Sequence, residues 1–453
     1  MQRILKKGFQ MDAMFWMQLI VVVIAIGIGA KWGGLGLGAA GGLGLFVLVF
    51  FFGLKPGNPP VSVLLIMVAV VSCASILQGS GGLDYLVGIA ERILRRNPQH
   101  ITFMGPLVCF FFTLLCGTGY VAFAVYPVIA EVAAAARVRP ERPLSMSVIG
   151  AQAAITGSPM SAATAAMIGL FAAQGVLPFH IFAVCIPATF LGVLVGCAFV
   201  YKRGAELEKD PEFLRKVKSG EFVDTAVAQG KEVTYSPAAK RGVVIFLFGI
   251  LLVVLLGSFP GLLPKFTDGA GKVTRLGIPH MVQMVMLAVG CLIMVISKVP
   301  SKKLADGSVF RAGLIGMAAV FGISWLTGTF FNTYKPVFVA EFGTLIQELP
   351  ILFALAMFFL SSVLFSQGAT TTALMPLAIG LGLLPADCVW MFLACNGYFL
   401  IPAGGAVIAC IAFDRTGTMK IGKYVLNHSY QLPGLVTTGS TLLFGWLLSK
   451  VVF

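Results

Sequence analysis

The residues able to do chemistry in this sequence sit where its apolar segments break. One group is Gly117-Thr118-Gly119, followed at the next break by Thr156, Ser158 and Ser161. The other is Ser366, Gln367, Thr370 and Thr371, followed by Asn396 and Gly404. Hydroxyls, amides and the unpaired backbone N–H groups at helix starts are donors suited to a carboxylate. A hydroxyl in such a place can also bond back to its own helix. The tips and breaks contain no Lys, Arg, Asp or Glu, and the four histidines (100, 180, 280, 428) stand singly near segment ends. Nucleophilic or acid–base catalysis needs a base or paired acids beside the hydroxyls, so the sequence does not read as an enzyme. Nine cysteines fall inside apolar runs with no C-x-x-C pair. They read as small core residues, not as a disulfide framework or a metal site.

The elements that position these residues follow from composition. Of 453 residues, 58% are hydrophobic and 11% charged, with a mean hydropathy of +0.95. Soluble domains hold about 45–50% apolar and about 25% charged residues, so this is an all-α polytopic membrane protein. The net charge of +14 fits loops on the cytoplasmic face of a bilayer, not a nucleic-acid partner. A spanning helix needs about 20 apolar residues. Suitable stretches are 13–30, 35–54, 61–79, 177–201, 242–258, 279–297, 312–331 and 432–449. The basic N-terminus mimics a secretory signal, but no clean cleavage site follows, so the stretch counts as the first helix.

Four further apolar stretches are interrupted, and they follow one plan twice. A span leads to an apolar limb with a Gly- or Gln-containing tip, then a return limb, a broken helix and a last span. Pro127 follows Thr118 by nine residues, and Pro376 follows Gln367 by nine. Alternating the spans puts 23 of the 32 Lys and Arg residues on one face, which is then cytoplasmic and leaves both termini outside. On that topology the two hairpins enter from opposite faces, so the repeats are inverted. Backbone without helical hydrogen bonds survives in a bilayer only where protein or a water-filled cavity satisfies it. Paired breaks therefore point to a solute site near the midplane, made from half-helix ends. Helix N-termini carry about half a positive charge, and two opposed ones suit a small dianion with a carboxylate at each end.

The chain then divides into N-terminal scaffold spans (1–60), repeat 1 (61–201, hairpin 101–136, broken helix 145–173), a cytoplasmic loop (202–241), connecting scaffold spans (242–308) and repeat 2 (309–453, hairpin 350–384, broken helix 386–413). No cofactor is expected. No buried carboxyl relay is evident, which favours anion exchange, with coupling to Na+ or H+ the other option. Gly36-Leu37-Gly38-Ala39-Ala40-Gly41 matches a nucleotide-binding spacing but lies in an apolar span. Gly34, Gly38 and Gly42 instead read as a close-packing face of a dimer-forming scaffold. A carrier of another small organic anion, gluconate- or lactate-like, is the alternative reading, and a channel a more distant one.

From about residue 26 the chain resembles the anaerobic C4-dicarboxylate transporter family of Gram-negative bacteria (Dcu type). The resemblance is carried by Gly29-Ala30-Lys31-Trp32-Gly33-Gly34, Leu54-Lys55-Pro56-Gly57, Gly81-Gly82-Leu83-Asp84 and Arg95-Arg96-Asn97-Pro98. Further matches are Gly117-Thr118-Gly119, Ala151-Gln152, Ser158-Pro159, Ser366-Gln367, Met375-Pro376 and Thr416-Gly417. Departures occur at Tyr120, where relatives often carry a small amide, and at Gly157, where Ala is usual. The resemblance implies exchange of fumarate, malate, aspartate and succinate across the bacterial inner membrane during anaerobic respiration. It implies kinship with the ion-transporter superfamily, whose homodimers pair a scaffold with a mobile transport domain, an elevator arrangement. Some relatives also interact with a sensor kinase.

Overall fold

The computed structural model describes residues 13–32, 34–222, 234–267, 273–299, 304–305, 307–402, 405–421 and 427–453. Residues 1–12 and Gly404 lie outside them. The helices, in order, are α1 (Ala13–Trp32), α2 (Gly34–Phe50), α3 (Val61–Gly79), α4 (Gly82–Arg96), α5 (Ile101–Cys116), α6 (Tyr126–Ala135), α7 (Glu141–Gly157), α8 (Ala162–Phe171) and α9 (Pro178–Val200). They continue with α10 (Pro211–Lys218), α11 (Pro237–Ser258), α12 (Ile278–Ser297), α13 (Ser308–Glu348), α14 (Ile351–Leu364), α15 (Gln367–Gly380), α16 (Pro385–Phe392), α17 (Gly405–Phe413) and α18 (Gln431–Val452). A short exposed antiparallel ribbon, β1 (Lys265–Thr267) and β2 (Val273–Arg275), lies between α11 and α12. Among the described residues, eight helical stretches are long and apolar enough to cross a membrane.

Proline and hydroxyl chemistry sets several starts. Pro178, Pro211, Pro237 and Pro385 open α9, α10, α11 and α16, where a missing N–H costs nothing. Ser161, Asp210, Ser236 and Ser366 each cap the helix that follows by accepting a backbone N–H. Limbs α5 and α6 hold 16 and 10 residues, α14 and α15 14 each. All are shorter than the run of about 20 that crosses a bilayer.

The structure adds to the sequence reading at three places. The span 312–331 is part of a longer element: α13 is one helix of 41 residues with Pro336 inside it. The interruption of the second broken helix (386–413) is wider than its Pro402 and Gly404 suggest: α16 ends at Phe392, a 3₁₀ turn covers Gly397–Phe399 and α17 begins at Gly405. The glycine face of α2 is used within the chain. A Cβ on Gly38 would strike the carbonyl of Ala318, and one on Gly41 would lie 2.5 Å from the carbonyl carbon of Gly322, whereas Gly42 has open space. Gly38 and Gly41 let α2 and α13 touch backbone to backbone. The matched proline spacing also hides a difference: Pro127 lies in the first turn of α6, Pro376 in the interior of α15.

The main core joins α3–α9, α11, α12 and α14–α18, while a second one, built on Phe15, Leu48, Phe330 and Tyr334, fastens α1 and α2 to α13. Amphipathic α4 is tied to α6 by Arg95, which bonds Glu91 at 2.9 Å and Glu131 at 3.3 Å. The loop after α9 is held by charge. Buried Arg139 contacts Glu141 at 2.7 Å and Asp210 at 2.5 Å, and Arg142 meets Glu206 at 3.0 Å. Burial pushes the Asp210 carboxyl up, but the Phe213 N–H and the Arg139 guanidinium outweigh it, so Asp210 titrates below its ordinary value. A carboxyl depressed in the folded state adds stability above its unfolded value of about 3.9 and loses it as pH falls through the folded one. Asp210→Asn keeps the cap and removes the charge, while Arg139 retains Glu141. The expected cost is about 1–2 kcal/mol at pH 7, between the values for exposed and buried pairs. Melting curves between pH 7 and 3 should converge for wild type and variant at the acid end.

Candidate functional site

Both hairpin tips and the first break open onto one cavity of about 580 Å³. Its walls include Met67, Val70 and Ala74 of α3 and Val309 to Ala319 of α13. Gly117, Thr118 and Gly119 from the first tip, Ser161 from the first break, and Ser366 and Gln367 from the second tip all line it.

The first tip is locked onto the break behind it. Gly117 ends α5 with φ +74°, and a Cβ there would overlap the carbonyl of Met160 and lie 2.8 Å from its Cβ. Ser158 Oγ donates to the Leu114 carbonyl at 2.6 Å and accepts from the Met160 N–H at 3.1 Å. The second tip turns through Phe365 (φ +50°) and Ser366, whose Oγ accepts from the Ala369 N–H at 3.2 Å. Thus α8 and α15 both begin at the cavity, and neither has an acidic residue in its first turn. Their starts meet: a Cβ on Gly368 would lie 3.3 Å from the Ala162 Cβ. The expectation that two N-termini grip opposite ends of a dianion is corrected by this contact. They come together at one spot, where the positive ends of their dipoles add.

The remaining predicted residues lie behind the wall. Thr156 Oγ1 donates to the Ala153 carbonyl at 2.8 Å, Thr370 Oγ1 to Ser366 at 2.8 Å and Thr371 Oγ1 to Gln367 at 2.7 Å. These are back-bonds within the helix. Asn396 is buried, donating to the Leu393 carbonyl at 3.1 Å and accepting from Gln367 Nε2 at 3.4 Å. Gln367 Nε2 also reaches Gln152 Oε1 at 3.2 Å, so an amide cluster supports the second tip from the first repeat.

Sequence reasoning did not place Gln152, Phe123, Tyr398 or Lys31 at the site, although Gln152 and Lys31 stand in the motifs of the resemblance; all four line the cavity. Gln152 lies one helical turn before Thr156 on α7, and that spacing was its available signal. Lys31 is the one charge between the first two apolar stretches. Among the described residues, no group of three or more His, Cys, Asp or Glu is placed to hold a metal ion.

The family profile described as anaerobic C4-dicarboxylate membrane transporter matches residues 14–453. The anaerobic C4-dicarboxylate transporter DcuB of Escherichia coli O157:H7 is 38% identical over 448 residues, covering 97% of this chain and 99% of that protein. The C4-dicarboxylate transporter DcuA of Wolinella succinogenes is 36% identical, covering 96% and 99%. The fold is similar to that of MtrF from Neisseria gonorrhoeae, described with a class of antimetabolite efflux pumps (TM-score 0.51, 14% identity, 99% and 97% covered). It is also similar to the YdaH transporter of Alcanivorax borkumensis (TM-score 0.50, 16% identity, 97% of each chain). These relatives are membrane transporters, not enzymes, and the chain belongs to the anaerobic C4-dicarboxylate membrane transporter family.

Proposed function

We propose that this protein carries C4-dicarboxylates across the bacterial inner membrane by antiport, taking in fumarate, malate or aspartate and releasing succinate. The observation that carries the reading is the meeting of two helix starts, free of acidic residues, at one cavity. A preorganised positive pole binds a carboxylate without a mobile cation. The relatives' names supply the C4-dicarboxylate class.

In this proposal residues 1–60 and 242–308 form the scaffold of a homodimer and the two inverted repeats move as a transport domain. Substrate sits between the tips, and the repeats slide past the scaffold spans, α1 and α2 among them, an elevator motion. Both termini are periplasmic, as the Lys and Arg distribution favours. Exchange needs no bound cofactor, because the leaving anion resets the carrier.

The test is counterflow. Vesicles loaded with unlabelled succinate should accumulate labelled fumarate or aspartate from outside, and empty vesicles should not. Equal uptake into loaded and empty vesicles would reject antiport. Ohmic current in place of saturable exchange would reject a carrier altogether.

A further inference from the structure

One pole accounts for one carboxylate, and a C4-dicarboxylate has two. Because the starts of α8 and α15 touch at Ala162 and Gly368, they cannot hold both ends of the substrate. Among the described residues lining the cavity, the only charged side chain is Lys31, in the last turn of α1. It is exposed, and no acid lines the same wall.

Lys31 also stands at the open end. On α13 the lining begins at Val309 and stops at Ala319; on α3 it runs from Met67 to Ala74, toward that helix's C-terminus. Further along α13 the other side is closed by the segment before α3: Gly57 N–H donates to Thr329 Oγ1 at 3.0 Å, and Trp325 Nε1 donates to the Gly57 carbonyl at 2.6 Å. Among the described residues that leaves the Lys31 side as the way by which a solute reaches the tips. The ordinary role for a lysine here is to complement the C-terminal end of α1. That role needs no cavity and no absence of acids around it.

We propose that Lys31 is the second anchor of the substrate, meeting the carboxylate that the helix starts leave free and setting the preference for dianions over monoanions. This inference rests on the dicarboxylate reading above. It assigns discrimination to the α1–α2 turn, outside both repeats. A unit charge near a carboxylate at a wet cavity mouth is worth about 1–2 kcal/mol, roughly a tenfold change in affinity.

The experiment compares succinate with its monoamide on the purified full chain, by thermal stabilisation and by transport. Lys31→Gln should raise the succinate KM about tenfold with kcat kept, leave the monoamide within about twofold, and be rescued by Lys31→Arg. Lys31→Met serves as a second neutral variant if the glutamine protein does not run as a single species. Equal losses for both ligands, or none, would overturn the assignment while leaving the carrier reading intact. Absence of any succinate stabilisation in the wild type would overturn both.

Discussion

Gly117→Ala is expected to reduce transport by at least about a thousandfold, with Gly175→Ala close to wild type. Both glycines have positive φ, +74° and +76°, so each substitution carries a similar left-handed strain of about 1–2 kcal/mol. Their surroundings differ. Nothing lies within 4 Å of a Cβ on Gly175, whereas one on Gly117 would overlap the Met160 carbonyl. Backbone cannot rotate away as a side chain can, so the tip must lift off the break between α7 and α8. That movement would pull on the Ser158–Leu114 bond and displace Thr118 and Ser161 together. A displacement of about 1 Å in a preorganised site is enough for losses of this order when several contacts shift at once. Counterflow on both variants, normalised to folded protein, is the measurement. Comparable activity in the two would mean that the contact between tip and break is dispensable.

The tips were legible because a bilayer makes them so. An apolar run interrupted by Cys116-Gly117-Thr118-Gly119 or Phe365-Ser366-Gln367 leaves backbone groups that lipid cannot satisfy, and the structure ends α5 at Cys116 and α14 at Leu364. Which hydroxyl faces the substrate was not legible. Ser366 and Thr370 are both small and polar and lie four residues apart, yet one lines the cavity and the other bonds the carbonyl of the first. Residue type cannot distinguish them, because a back-bond and a ligand contact use the same oxygen.

The extent of the second break was hidden for a related reason. Pro402 and the glycines after it are the visible punctuation, but α16 stops ten residues earlier, before Leu393-Ala394-Cys395, which carry no breaker. There Leu393, Ala394 and Cys395 bond three residues back, and Gly397 donates its N–H to Ser361 Oγ of α14 at 2.8 Å. A tertiary contact ends that helix. Lys31 showed in the sequence only as a basic residue at the end of a span and as part of the resemblance. A lysine at a span end is ordinary, and only the cavity distinguishes it.

Gln367→Glu is expected to separate stability from function. Position 367 is the first residue of α15, where a carboxylate is favourable by about 0.3–1 kcal/mol. That gain offsets part of the loss of the two amide hydrogen bonds to Gln152 and Asn396, so the ligand-free variant should melt only modestly below the wild type. The same charge occupies the positive pole proposed for the substrate. A fixed carboxylate about 5 Å from a bound one, at an effective dielectric near 20, opposes binding by about 3 kcal/mol, roughly a hundredfold in affinity. It also loses the amide that donates to Gln152 Oε1 and Asn396 Oδ1, leaving acceptor facing acceptor until those side chains flip. Gln367→Ala removes the donors without adding charge and should cost only about tenfold. Melting without ligand, together with succinate affinity for the three proteins, separates the two effects. If Glu and Ala weaken succinate equally, the pole formed by α8 and α15 does not hold the carboxylate, and Gln367 acts through its amide alone.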